Sequence, residues 1–336
     1  QPFYGNNYYY LMVYEIFSDV RLVGAPPSSI GKYGDDTDNW EWPRHTGDFS
    51  VFRVYSSPDG KPAQYSKDNI PLKPKYWLPV SLKDLNKNDF AMILGYPGRT
   101  QRYATSWEVT EIMNIINPVR VKVRGVKQEI WMTDMKADQK VDIQYASKYS
   151  RSSNYWKYSI GQNNQLKNLK VIPKKQEIES RFTIWVNADA GRKAKYGEAL
   201  NLIRSSIEGR AEFQNAYQYL NECIQGCELL GFYSLTQDLM PALKEGDSQK
   251  ITEAAAFLKE NMEEIYKDYN APTDVKSMKA MLKLYREDVP AKFHPDFYAN
   301  VVDKKFKGSI DKFVDNLFAK SVFASDARLT AFLNKP

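Results

Sequence analysis

The sequence predicts an α+β chain of two parts, a β-rich segment to about Pro97 and a mainly helical remainder. Three observations carry this. Up to Pro97, β-branched and aromatic residues alternate with polar ones between clusters of Gly, Pro, Asn and Asp. From Trp107 onward, apolar residues return at helical spacing. At 336 residues the chain also exceeds the usual size of a single hydrophobic core. The expected division places a β unit at residues 1–98 and a helical unit at 99–336.

The first strand signal is Phe49-Ser50-Val51-Phe52-Arg53-Val54-Tyr55, which the turn residues Ser56-Ser57-Pro58-Asp59-Gly60 close. The apolar run Phe90-Ala91-Met92-Ile93-Leu94-Gly95-Tyr96 ends at Pro97-Gly98 and reads as a strand buried on both faces. Helical spacing then appears in Ala199, Leu200, Leu202, Ile203 and Ile207, and again in Ala254, Ala255, Phe257, Leu258 and Met262. Gly231, Pro241 and Gly246-Asp247-Ser248 mark interhelix stops and starts. No repeat period recurs, which disfavours a solenoid.

Composition narrows the functional classes. No apolar run approaches the ~20 residues that span a bilayer, so no membrane span is expected. The net charge of +6 admits an anionic partner. Acids and bases are interleaved, however, as in Lys174-Lys175-Gln176-Glu177-Ile178-Glu179, the pattern of a solvated helix face, and nucleic-acid binding is not expected. Cys223 and Cys227 are spaced i,i+4 in a helical pattern, poorly aimed for a disulfide and without histidine neighbours, and read as buried structural thiols. No metal cluster, phosphate-cradling glycine loop or dinucleotide fingerprint appears, so no metal and no cofactor are expected.

The most informative stretch runs from Gly31 to Ser50, a loop rich in Asp, Asn and Gly that carries Trp40 and Trp42 and feeds a strand. Asp48 stands at the loop-to-strand junction. An acid there either accepts backbone hydrogen bonds at a turn or orients a histidine that takes a proton from a serine. His45 lies too close in sequence to be that histidine, and His294, between Phe293 and Pro295, sits in a helix connection. Both read as structural. Gly246-Asp247-Ser248 and Gly308-Ser309 resemble a serine-nucleophile signature but precede helices, and so read as helix caps.

This loop resembles the bacterial dipeptidyl-peptidases 7 and 11 and their relatives. So do Asp19-Val20-Arg21-Leu22-Val23-Gly24-Ala25-Pro26-Pro27-Ser28-Ser29, Gly95-Tyr96-Pro97-Gly98-Arg99-Thr100, Gln144-Tyr145-Ala146-Ser147-Lys148-Tyr149 and Arg151-Ser152-Ser153-Asn154-Tyr155-Trp156. The resemblance implies a chymotrypsin-like serine exopeptidase, with a β-barrel catalytic domain interrupted by a helical domain that caps the cleft. Asp48, in His45-Thr46-Gly47-Asp48, matches the triad aspartate. Asn39, Trp40 and Asn154 match residues that grip the free α-amino group of the substrate, a task suited to amide oxygens and an indole face. The family's Gly-Gly-Asp-Thr-Asp-Asn-Trp pattern is here Gly34-Asp35-Asp36-Thr37-Asp38-Asn39-Trp40. Aspartate tolerates a left-handed backbone better than most residues, so the loop is expected to survive the change.

On the family's chain order, the triad histidine precedes and the serine follows these residues. The chain, which opens at Gln1 without an initiator methionine, is expected to be an internal fragment, inactive alone. The implied partner is an oligopeptide with a free N-terminus. The implied setting is an exported, periplasmic homodimer. The competing reading is a non-catalytic helical module that binds a peptide or protein.

Overall fold

The computed structural model describes residues 2–3, 7–92, 94–95 and 101–334. The chain divides into two compact units, residues 1–100 and 101–336.

In the first unit, β1 (Pro2–Phe3) pairs antiparallel with β2 (Tyr8–Tyr9). A three-stranded antiparallel sheet follows, made of β3 (Val20–Gly24), β4 (Val51–Ser56) and β5 (Ile70–Pro71) in that order. Val20 faces Val54 and Leu22 faces Phe52, and a register shift between Leu22 and Gly24 bends the end of β3. A short helix, α1 (Ser28–Gly31), and a 3₁₀ turn at Asp35–Asp38 lie in the long connection from β3 to β4. The sheet is small and open, and the described residues form no closed barrel.

The strand expected over residues 49–55 is thus present as Val51–Ser56. The strand expected from Phe90 is not formed in the described part. Residues 90–92 are coil, and Phe90, Met92 and Leu94 are 85%, 64% and 83% exposed rather than buried. A short apolar run becomes a buried strand only where neighbours supply ladder partners and cover, and residues 90–92 have no ladder partner among the described residues. Ile93 and residues 96–100 lie outside the described residues.

The second unit is helical. It begins with α2 (Ser106–Glu111), α3 (Asn117–Ala137), α4 (Gln139–Asn168), α5 (Val171–Asn187), α6 (Ala190–Tyr196), α7 (Ala199–Gly209) and α8 (Ala211–Tyr219). It continues with α9 (Glu228–Gly231), α10 (Leu239–Glu245), α11 (Ser248–Glu260), α12 (Met262–Tyr266), α13 (Ala271–Asp288), α14 (Lys304–Phe306), α15 (Ile310–Lys320) and α16 (Asp326–Leu333). None of the described helices is long and apolar enough to cross a membrane.

Local chemistry starts these helices where it should. Thr105 and Glu108 form a reciprocal capping box on α2. Asp138 caps α4, Asp247 caps α11 and Ser309 caps α15, each accepting from a backbone N–H of the first turn. Gly246-Asp247-Ser248 and Gly308-Ser309 therefore serve as helix boundaries. Wide π-type turns at Ile112–Ile116, Leu220–Ile224 and Tyr298–Asp303 interrupt the regular winding.

The main core joins Val123 of α3, Cys223, Met281 and Tyr285 of α13, Tyr298, Val302, and Val314 of α15. A satellite gathers Leu239, Leu258, Leu329 and Leu333, and a third cluster places Trp131 of α3 against Val141 and Tyr145 of α4. Both cysteines are buried free thiols, and the Cys227 thiol donates to the Cys223 carbonyl at 3.0 Å. Burial pushes the Cys223 thiol up to about 12 and raises that of Cys227 further, which keeps both protonated and inert.

Candidate functional site

The loop from Gly31 to Ser50 is held by its own backbone. Gly47 N–H donates to the Ile30 carbonyl at 3.0 Å, closing the loop onto the end of α1. Inside it, Asp38 N–H reaches the Gly34 carbonyl at 3.1 Å, and Arg44 donates to the Asp38 carbonyl and to Thr46 Oγ1. Three residues adopt the left-handed region: Gly34 at φ +79°, Asp35 at +47° and Trp40 at +62°. At Gly34 a Cβ would lie 1.8 Å from Asp38 Oδ2, so only glycine fits. Asp35 takes the left-handed conformation that aspartate tolerates.

This frame presents Asn39 half-buried and Trp40 60% exposed, immediately after the 3₁₀ turn. Asp48 is exposed in extended coil three residues before β4. His45 packs edge-on to Tyr33, with ring centroids 6.4 Å apart.

Beneath the sheet end lies a polar cluster that sequence reasoning missed. Asp19 is buried and accepts two hydrogen bonds from Arg21, at 2.9 and 2.8 Å, and one from Asn69 at 2.8 Å. The Arg21 guanidinium also donates to the Ser66 carbonyl and stacks 3.7 Å from the Tyr55 ring centroid. Chiefly through the hydrogen bonds of Arg21, the Asp19 carboxyl is held down at about 2. The only sequence signal was two charges at i,i+2 on a strand, which share one face.

In the second unit, Asn154 is half-buried near the middle of α4. Its helix neighbours Ser152, Ser153 and Ser159 are buried, and Tyr155 is 48% exposed. Trp156 Nε1 donates to the Val121 carbonyl of α3 at 3.0 Å. His294 Nε2 donates to the Val289 carbonyl at 2.7 Å, and the ring packs against Tyr285 and Tyr298, a structural role. Farther along the unit, an apolar groove of about 430 Å³ is lined by Tyr103, Ile178, Phe182, Leu200 and Ile203.

A second buried acid, Asp274 of α13, accepts from the backbone N–H groups of Glu228 and Leu229 at 3.2 and 2.8 Å and from the Tyr269 hydroxyl. Burial, reinforced by the nearby Glu228 charge, raises its carboxyl to about 7. Its bonds run to the start of α9, so it acts as a clasp between helices.

Comparison with known proteins follows the same line. Dipeptidyl-peptidase 7 of Porphyromonas gingivalis is 45% identical to this chain over 334 residues, covering 99% of it. The Asp/Glu-specific dipeptidyl-peptidase of the same organism is 40% identical over 338 residues, covering all of it. The crystal structure of Porphyromonas endodontalis DPP11 in complex with the dipeptide Arg-Glu superposes over 95% of the chain at a TM-score of 0.81 and 37% identity. The chain spans 46% of the length of each of these three proteins. Residues 1–336 match the Peptidase S46 family throughout, and the chain belongs to it.

Proposed function

We propose that this chain is part of a serine dipeptidyl-peptidase that releases dipeptides from the free N-terminus of oligopeptides. The observation that carries the reading is 45% identity to a dipeptidyl-peptidase across 99% of the chain. Within that reading Asp48 is the triad aspartate, orienting a histidine and stabilising the imidazolium formed as the serine attacks. Asn39, Trp40 and Asn154 hold the substrate's ammonium group, the amides by accepting hydrogen bonds and the indole by its electron-rich face. Trp40 suits the task because the left-handed backbone turns its ring outward from a loop closed on α1.

The catalytic frame is of the chymotrypsin type, and the sheet of the first unit belongs to its first barrel. The helical unit caps the cleft and limits cleavage to dipeptides. The histidine and the serine come from polypeptide beyond these 336 residues, so the chain by itself is inactive. The working enzyme is an exported, periplasmic homodimer.

The test has two arms. The 336-residue chain, mass-verified and folded, releases no fluorophore from a panel of dipeptidyl substrates, whereas the full-length enzyme does. In the full-length enzyme Asp48→Asn lowers kcat roughly ten-thousand-fold. Because Asp48 is exposed, the thermal midpoint stays put. Release by the isolated chain, or full activity of the variant, overturns the assignment. The second reading, a non-catalytic binding module, is favoured by the apolar groove at Ile178, Phe182 and Ile203. It is preferred if the full-length protein binds peptides without cleaving them.

A further inference from the structure

Helix α4 is fastened to its neighbours by a buried charge network that neither the loop motif nor the amine-grip residues account for. Glu222, in the wide turn after α8, is buried. Its carboxylate accepts from Arg124 Nε at 2.9 Å and Nη2 at 3.3 Å, from Arg120 Nε at 3.4 Å and from Gln218 Nε2 at 3.3 Å. Both arginines belong to α3, and each guanidinium turns a further donor to α4. Arg124 Nη1 reaches the Ser152 carbonyl at 3.4 Å, and Arg120 Nη1 reaches Ser159 Oγ at 3.2 Å. Gln128 donates to Ser152 Oγ at 3.1 Å, and Trp156 Nε1 to the Val121 carbonyl at 3.0 Å. The fork of five donors on arginine makes this two-sided grip possible; lysine offers no equivalent.

The fastened positions 152, 156 and 159 fall within an arc of about 60° on α4, at about 100° per residue. Asn154 stands about 160–200° round from Ser152 and Trp156, on the other side of the helix. A helix pinned along one edge cannot roll, and the azimuth of the residue opposite is then set. Ion pairs buried in this way are a poor source of net stability, since desolvation offsets most of the attraction. Their effect is to select one arrangement out of several that apolar packing alone would tolerate.

We infer that Arg120, Arg124 and Glu222, with Gln128 and Trp156, are positioning residues that hold Asn154 at the angle its amide needs to meet the substrate's ammonium group. The inference rests on the reading of Asn154 as an amine-binding residue. Its test separates the two. In the full-length enzyme, KM and kcat are measured for a dipeptidyl substrate with Asn154→Ala, Glu222→Gln and the double variant, alongside thermal midpoints. Loss of the amide raises KM about tenfold, the worth of one hydrogen bond to a charged group. Glu222→Gln raises KM severalfold when Asn154 is present and adds nothing once it is alanine.

If Glu222→Gln raises KM by the same factor in both backgrounds, the network is structural only and the inference falls, while the amine-binding reading stands. If Asn154→Ala leaves KM unchanged, that reading falls and takes the inference with it. Should Glu222→Gln not fold, Trp156→Phe, which removes the indole N–H bond to α3 and leaves a smaller ring, runs through the same cycle with the same two outcomes.

Discussion

The two units differ in what they bury. In the first, the buried residues among those described are Asp19, Ser56 and Asn69, all polar. Its apolar side chains are outside: Leu11, Val13, Leu78 and Leu82 are 93%, 89%, 81% and 94% exposed. In the second unit Val123, Tyr145, Met281, Val302 and Val314 are all sealed from solvent at 0% exposure. Among the described residues, the hydrogen-bonded Arg21–Asp19 pair ties the end of the sheet, whereas apolar burial joins the helices. Polar clusters fix geometry but contribute little net free energy, while burial of apolar area is the main favourable term. Within these 336 residues the buried apolar core lies in the helical unit, and the described part of the first unit is joined by polar bonds.

The largest expected effect breaks the apolar side of this contrast. Met281→Ala removes a fully buried side chain at the centre of the main core and costs about 2–5 kcal/mol in urea unfolding followed by the helical circular dichroism signal. A cost under about 1 kcal/mol, the range of surface changes, would mean that the helices are not held by this core.

Acid and base then pull the two units in opposite directions. The Asp19 carboxyl is depressed to about 2, so its contribution is complete above the ordinary aspartate value of ~3.9 and lost as pH falls through about 2. Asp274 is raised to about 7, so the folded helical unit keeps a proton that the unfolded chain releases near ~3.9. Its contribution therefore favours folding below that value and declines as pH rises to about 7. Hydrogen exchange read separately on the strands and on α13 checks this. Asp19→Asn should flatten the acid limb of the first unit, and Asp274→Asn the decline of the second between pH ~3.9 and about 7. Parallel pH profiles in the two units would remove the distinction.

The smallest effect tests a cap. Ser309→Ala deprives α15 of its N-cap bond and lowers the stability of the helical unit by about 1 kcal/mol, leaving peptide hydrolysis by the full-length enzyme unchanged. Loss of hydrolysis would return Gly308-Ser309 to consideration as a nucleophile.

How far the sequence could be read follows the same division. Helices with local signals were legible: the caps at Asp247 and Ser309 and the apolar spacing of Ala255 and Leu258 all stand where pattern placed them. The strand at Val51–Ser56 was legible because alternation and a turn bounded it. The run at Phe90 is coil at residues 90–92, and much of its remainder lies outside the described residues. The left-handed turn of Asp35 followed from its neighbour Gly34 and from the family pattern. The Arg124–Glu222 network was invisible, since its members stand 98 residues apart and only the folded chain brings them to 2.9 Å. Wide turns such as Leu220–Ile224, which aims Glu222 at α3, have no composition of their own to betray them.

Gly34 and Asp35 share one handedness of backbone yet differ in what surrounds them. At position 34 the Asp38 carboxylate already fills the space of a side chain, while position 35 carries one. A side chain at position 34 would have to displace Asp38, whereas the backbone at position 35 suits glycine, aspartate and asparagine alike. Exchange at position 35 then alters the loop's stiffness without redrawing its path, so one loop shape is open to more than one degree of give.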